Sequence, residues 1–312
     1  MRTLKSILVA LNELPAKAPP VLARAALIAK GTGAKLELFH ALAAPVFVDI
    51  VVDSQHTLNR YTHDQRERAR LRLERLAVPP RDTGLKVSTH VAWDYPPYEA
   101  IVRRALVSRA DLIIAARRGH HRFPAMMGYT DWELLRASPV PVLLTRSRRH
   151  GARASIVAAV DPWHIHAKPA DLDRRILGMA ADLGSALSAP LHIVHVLEPW
   201  RKEALDRSAQ RKARAEMAEL ACTAKVPTAR LHLLHGEITE RLPKSARALR
   251  AGIVVMGDMS RRGLRGFFVG DTAERLIDEL KCDLLVVKPA GFTSRLARRP
   301  RGMYLMTNLP LT

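Results

Sequence analysis

The stretch IVVMGDMSRRGLRGFFVGDTAERLIDELKCDLLVVKPAG, from Ile253 to Gly291, starts as an apolar strand. It continues through a glycine- and arginine-rich loop into an amphipathic helix and a second apolar strand. Strands that are apolar on both faces are typical of buried parallel sheets. In α/β proteins, a glycine-bearing loop between such a strand and a helix is where phosphate groups bind. The stretch therefore predicts a strand–helix–strand unit with its loop as a candidate phosphate site.

This unit ends a longer pattern that occurs twice in the chain. The segment SILVAL at 6–11 returns as SIVAAV at 155–160, and RADLIIAAR at 109–117 is matched by RAGIVVMGD at 250–258. Each copy alternates short apolar runs with longer helical patterns. That alternation predicts right-handed crossovers and an open, doubly wound parallel sheet in each copy.

The repeat divides the chain into two domains and a tail. We predict an α/β protein with two tandem Rossmann-like domains, each a five-stranded doubly wound parallel sheet, at residues 1–148 and 152–290. The tail, 291–312, is rich in arginine and poor in apolar residues, so it is predicted to be basic and disordered. The strands are expected near 6–11, 35–42, 85–92, 111–116 and 140–145, and again near 155–160, 190–197, 229–235, 252–257 and 283–288.

The final strand of each copy sets the expected relation between the two domains. We predict that the strands near 140–145 and 283–288 lie close together across a pseudo-two-fold axis. We also expect the domains to keep two separate sheets, and not to form one continuous ten-stranded sheet.

The second copy resembles a domain of the universal stress protein family in the segments AAVD, HIVHVL, HGEITERLP and FFVGDTAERLIDELKCDLLVVKP. With HVAWDYPPYEAI and TDWELLR in the first copy, the doubled arrangement resembles the tandem E-type members of that family. The resemblance covers about residues 4 to 290. It implies a Rossmann-like sandwich, pairing of the two domains through their last strands, and a stress-response role that includes resistance to DNA-damaging conditions.

Nucleotide-binding members of that family carry the motif G-x2-G-x9-G-[S/T], which falls here on Gly257, Ser260, Gly270 and Asp271. The two glycines match, whereas Ser260 replaces a glycine and Asp271 replaces a hydroxyl residue. An ionised aspartate only accepts hydrogen bonds and repels phosphate by about 1 kcal/mol even in water. The order DTAE instead favours a helix cap at Asp271. ATP, the cofactor that the resemblance implies, is therefore predicted to bind weakly or not at all. An ATP-binding regulatory switch in the second copy and a basic nucleic-acid-associated protein are the alternative functions.

Four further residues complete the candidate nucleotide site of the second copy. The resemblance places Asp161, after the first strand, near adenine and ribose, although an aspartate before proline also initiates turns. Val196 falls where a backbone contact to adenine is implied, and is equally an ordinary strand residue. Arg261 offers positive charge to phosphate, and Thr272 follows Asp271 at the helix start.

The loop of the first copy departs further from the motif. Ala116, Gly119 and Gly128 stand at the three glycine positions, the loop is one residue short, and Tyr129 follows. We predict no phosphate binding in the first copy.

The chain contains 13 histidines, of which His164, His166 and His235 could converge on a metal at the carboxyl edge of the second sheet. Local hydrogen bonding of these side chains is favoured over a metal site. His40 and His195 recur at the same place in both copies, which predicts a shared structural role. No nucleophile elbow or paired-acid motif is present, so the protein is predicted to be non-enzymatic.

Composition limits the partners and the compartment. The net charge of +20 is spread along the chain and few aromatic residues accompany it, which favours weak, nonspecific attraction to nucleic acid over specific recognition. The apolar stretch around 41–52 contains Pro45 and Asp49, so no membrane span is predicted. Two cysteines, without a CxxC pattern, favour the cytoplasm. A homodimer is a further prediction.

Overall fold

Strands and helices alternate along both halves of the chain. The computed structural model describes residues 4–42, 46–48, 55–117, 130–146, 154–162, 171–198, 206–257, 276, 279–294, 296–297, 299–302 and 305–307. The first half comprises β1 (Ser6–Ala10), α1 (Pro20–Thr32), β2 (Lys35–Leu42), β3 (Val46–Val48), α2 (Gln55–Asp82), β4 (Val87–Trp93), α3 (Pro97–Val107), β5 (Leu112–Ala116), α4 (Thr130–Ala137) and β6 (Val142–Thr145).

The described part of the second half shows the same alternation of strands and helices. It comprises β7 (Ser155–Ala159), α5 (Asp171–Ala186), β8 (Leu191–Leu197), α6 (Arg207–Thr223), β9 (Leu231–His235), α7 (Ile238–Ala248), β10 (Ala251–Gly257) and β11 (Asp283–Val287), followed by β12 (Leu305–Thr307).

Each half contributes five parallel strands in the same spatial order, β4-β2-β1-β5-β6 in the first and β9-β8-β7-β10-β11 in the second. The strand order reverses between β1 and β5, and again between β7 and β10. The predicted fold of two tandem Rossmann-like units is therefore confirmed. Ligands of open parallel sheets bind where this reversal occurs, at the carboxyl ends of the strands.

The two sheets join edge to edge. β6 pairs with β11 in antiparallel fashion, with Leu143 opposite Leu285, and the ten strands form one sheet. The predicted proximity of the final strands is confirmed, but the expectation of two separate sheets is wrong. Each final strand would otherwise leave a row of unpaired backbone N–H and C=O groups, and the two rows satisfy each other.

Helices cover both faces of the joined sheet. One core cluster contains side chains of α1, α2, α5 and α6, and the cluster on the opposite face contains side chains of α3, α4 and α7. Both clusters contain residues of both halves. The two halves therefore share one apolar interior on each face of the sheet.

The helices α1 and α5 pack closely across the junction between the halves. A Cβ added at Gly31 would lie 2.1 Å from the carbonyl oxygen of Ala186, so only glycine permits this approach. Elsewhere at the junction, the fully buried Asp283 of β11 accepts the backbone N–H of Arg146 at 2.8 Å and lies 3.1 Å from Nε of Arg24 on α1. The intramolecular pairing of the two domains thus has a polar as well as an apolar component.

The tail after β11 is ordered where it is described. β12 pairs in parallel with β3, Leu296 packs against the core, and Arg301 donates to Asp94 and Glu99. The prediction of a largely disordered tail is therefore wrong for these residues. Composition indicated little apolar surface in the tail, but it could not indicate buried carboxylates elsewhere in the chain that match its arginine.

We expect Gly31→Ala to lower the free energy of unfolding by about 1–3 kcal/mol, because the new methyl group meets backbone and not a movable side chain. The matched control is Gly178→Ala in α5, where an added Cβ meets nothing within 4 Å and should stabilise the protein by roughly 0.5–1 kcal/mol. Urea unfolding of both variants measures the difference. Equal effects of the two substitutions would contradict close α1–α5 packing.

Candidate ligand site at the carboxyl edge of the second half

The strand reversal in the second half brings two of the sequence-predicted residues to the same edge. β7 ends at Ala159, which lies opposite Met256 of β10. Asp161 follows β7 by two residues, and Gly257 is the last residue of β10. These two positions therefore flank the place where the fold favours a ligand.

Val196 lies on the neighbouring strand β8, opposite Leu234 of β9. Its side chain is half-buried and packs against the core cluster that also contains Val194. The strand pairing continues past β7, because the N–H of Val160 donates to the carbonyl of Val194 at 3.0 Å. Val196 therefore lies on the strand next to the one that precedes Asp161, and its side chain packs against the apolar core.

Asp173 fixes the backbone at Asp161. The N–H of Asp161 lies 3.2 Å from each carboxylate oxygen of Asp173, a fully buried residue in the first turn of α5. A carboxylate at a helix N-terminus is stabilised by the helix dipole. Sequence reasoning missed Asp173, although an acidic residue in the first turn of a predicted helix was an available signal.

Asp161 gives this edge a defined chemistry, since Asp173 is fully buried and faces the backbone. A carboxylate accepts hydrogen bonds and donates none while ionised, so Asp161 suits a partner that presents hydroxyl or N–H groups. A carboxylate repels phosphate oxygens. The described part of the edge is therefore suited to a sugar or a base, and any phosphate group would need positive charge from elsewhere.

Gly257 has a structural reason to be glycine. A Cβ at this position would lie 2.7 Å from Cδ2 of Leu172 and 3.1 Å from Cδ1 of Ile176, two buried side chains of α5. Glycine therefore lets α5 pack tightly on the end of β10. This requirement holds whether or not a phosphate binds nearby.

The remaining sequence-predicted residues of the site lie outside the described part of the chain. They are Ser260, Arg261, Gly270, Asp271 and Thr272. The same holds for His164 and His166 of the metal hypothesis, and for Gly119, Gly128 and Tyr129 of the first copy's loop. Among the described residues, no group of three or more His, Cys, Asp or Glu side chains could hold a metal ion.

Two histidines make equivalent contacts in the two halves. Nδ1 of His40 lies 2.7 Å from the carbonyl oxygen of Leu11, and Nδ1 of His195 lies 3.0 Å from that of Val160. A carbonyl only accepts, so Nδ1 carries the proton in both rings. Each imidazole thereby ties the second strand of its half to the residue after the first, which confirms the predicted shared structural role.

Burial lowers the pKa of His40, although its bond to the Leu11 carbonyl acts in the opposite direction. Burial also lowers the pKa values of His192 and His232, whose rings approach with Nδ1 3.0 Å from Nε2. One ring donates an N–H hydrogen bond to an unprotonated nitrogen of the other ring. Two imidazolium rings could not form this bond, because neither has an acceptor nitrogen. These histidines favour the neutral form in the folded protein.

The chain matches the model of the Universal stress protein family over residues 3–146 and 153–288. It is 26% identical over 291 residues to Universal stress protein E of Photorhabdus laumondii, a match that covers 88% of this chain and 91% of the relative. Universal stress protein E of Escherichia coli K12 is 26% identical over 222 residues, covering 67% and 70% of the two chains.

Solved structures share the whole arrangement. A functionally unknown protein, PA1789, from Pseudomonas aeruginosa PAO1 is similar with a TM-score of 0.68 and 27% identity, over 92% of this chain and 93% of the other. A universal stress protein from Archaeoglobus fulgidus has the same fold, with a TM-score of 0.63 and 17% identity over 92% and 97% of the chains. Of the helices described, none combines the length and apolar character needed to cross a bilayer.

We expect the stability of the protein to fall as the pH drops below about 6.5, the ordinary histidine pKa, with His40 contributing. The folded-state pKa of His40 is lowered, so protons bind the unfolded chain more readily, and acid favours unfolding. The contribution of neutral His40 to the free energy of unfolding is complete above the pKa of His40 in the unfolded chain. It is lost as the pH falls through the lower pKa of His40 in the folded protein. His40→Asn, whose amide N–H can replace the donor at Leu11, should flatten the slope of unfolding free energy against pH. Parallel curves for both proteins would contradict this.

Proposed function

Since the chain belongs to the universal stress protein family and is a stress-response protein of that family, we propose that it acts by binding a ligand and not by catalysing a reaction. The observation that carries the proposal is the placement of Asp161 and Gly257 at the carboxyl ends of the neighbouring strands β7 and β10, where the strand order of the second half reverses. This is where an open parallel sheet receives its ligand.

The contacts of the polar groups at this edge support a binding role. The N–H of Asp161 is directed at Asp173, and Nδ1 of His195 is held by the carbonyl of Val160. General acid–base or nucleophilic catalysis requires a base within reach of the reacting group and an orienting partner for that base. Here the orienting contacts hold the strand ends in place, which is a structural task.

The ligand class that we propose is an adenine nucleotide, bound weakly. Asp161 offers acceptors to ribose hydroxyl groups, as the family resemblance implies. By sequence, Ser260 and Asp271 remove a phosphate-binding glycine and a hydroxyl donor, and Arg261 is the nearest source of compensating charge. A low affinity follows, because the ribose contact is retained while the phosphate contacts are weakened.

Other properties stay predictions. The net charge of +20 predicts weak attraction to nucleic acid that salt abolishes. Homodimer formation, a cytoplasmic location and a role in resistance to DNA-damaging conditions are likewise predictions.

Calorimetric titration with ATP at physiological salt tests the proposed ligand. We expect weak or no binding to the wild-type protein and a roughly 30-fold higher affinity for the double variant Ser260→Gly, Asp271→Ser. Removing the repulsion and adding a donor are each worth about 1 kcal/mol. Asp271→Glu keeps the negative charge and should leave the affinity unchanged.

The salt dependence separates this site from general charge attraction. Binding to the site should depend weakly on salt, whereas log affinity for DNA should fall linearly with log salt concentration. Tight binding of ATP to the wild-type protein would contradict the proposed effect of Asp271. An unchanged affinity in the double variant would contradict the loop assignment.

A further inference from the structure

The carboxyl edge of the first half carries a buried cluster of charges. Asp94 directly follows β4, and Glu99 and Arg103 lie one turn apart on α3. Arg103 donates to both carboxylate oxygens of Asp94, each at 2.8 Å, and to Oε2 of Glu99 at 2.8 Å. All three side chains are at most 8% exposed.

These three residues alone would leave a buried negative charge. Two carboxylates face one guanidinium, and the phenol of Tyr98 is a further neutral contact of Glu99 at 3.4 Å. A buried charge without a counterion is strongly unfavourable. The cluster therefore favours one additional cation that can reach it from the surface.

Arg301 of the tail supplies this cation. Its Nε lies 3.0 Å from Oε2 of Glu99 and its Nη2 lies 2.7 Å from Oε1, while its backbone N–H donates to Asp94 at 2.9 Å. The guanidinium side chain is 62% exposed and the Glu99 side chain only 2%. The two-pronged geometry matches arginine and not lysine, whose ammonium is a single point of charge.

The backbone of the tail adds contacts that depend on no particular side chain. The carbonyl of Ala297 accepts from Nη1 of Arg103 at 3.2 Å, and β12 pairs in parallel with β3 as a separate two-stranded sheet. Leu296 packs on the core cluster that also contains Ile101 of α3. Main-chain pairing of an extended segment, together with pockets for particular side chains, recurs in peptide recognition.

We propose that the carboxyl edge of the first half is a recognition site for an extended, arginine-bearing peptide, and that the chain's own tail is its tethered occupant. The tail belongs to the second half in sequence and binds the first half in space. It is therefore a latch between the two halves, separate from the ligand site at Asp161.

Tethering explains why the latch closes within one chain. A linked segment has an effective concentration on the order of millimolar, so a modest intrinsic affinity is sufficient. Loss of hydrogen bonds to a charged group typically weakens binding about tenfold to hundredfold. Replacing Arg301 should thus open the latch enough for a free copy of the tail to compete.

Hydrogen–deuterium exchange of the full-length protein tests the latch. In Arg301→Ala we expect amides of 46–48 and 305–307 to exchange at least about tenfold faster than in wild type. Arg299→Ala removes an equal charge from an exposed position of the same tail and should behave as wild type. Amides of β1 report on the fold as a whole and should be unchanged.

A labelled peptide of residues 292–312 tests recognition directly. Fluorescence anisotropy should show binding to the full-length Arg301→Ala protein and at least about tenfold weaker binding to wild type, where the tethered tail competes. Peptides with Arg299→Ala and Arg301→Ala have equal net charge, so general attraction would bind both alike. Of these two peptides, we expect only the Arg299→Ala peptide to bind. A third peptide, with Arg301→Lys, should bind poorly.

Three results would overturn the proposal. One is unchanged exchange at 46–48 and 305–307 in Arg301→Ala. Another is equal binding of the Arg299→Ala and Arg301→Ala peptides, which would show that charge alone attracts the tail. The third is faster exchange in β1 of both Arg301→Ala and the milder Arg301→Lys, which would show that Arg301 supports the whole fold and not a local latch.

Discussion

The antiparallel pairing of β6 with β11 is the contact on which the rest of the structure depends. It satisfies the exposed edge of each five-stranded sheet and brings α1 against α5 at Gly31. It also reverses the direction of every strand in one half relative to the other. The strands of the two halves consequently have their carboxyl ends on opposite sides of the ten-stranded sheet. The two places where the fold favours a ligand are therefore physically separate.

Separate edges can serve separate purposes. In the second half, the edge presents Asp161, held by Asp173, beside Gly257. In the first half, the corresponding end of the sheet carries the Asp94–Glu99–Arg103 cluster and receives the tail.

The sequence predicted what local periodicity and repetition encode. The strand expected at 190–197 is observed at Leu191–Leu197, and the recurrence of His40 and His195 indicated their equivalent roles. Joining of the sheets was missed because an edge strand and a central strand have the same apolar pattern. Order in the tail was missed because Arg301 and Asp94 are 207 residues apart in the chain, and no local pattern connects them.

The same cluster also shows why charge, and not apolar surface, fixes the position of the tail. An apolar contact such as that of Leu296 tolerates a shift of the chain by one or two residues, because it has little directional preference. The paired bonds from Arg301 to Glu99 tolerate no such shift, since another register would leave two buried carboxylates facing the single guanidinium of Arg103. Removing one member of a buried charge cluster is strongly unfavourable, and such clusters also specify register. The tail is therefore held by Arg301 together with backbone pairing and apolar packing, and Arg301 alone sets its register.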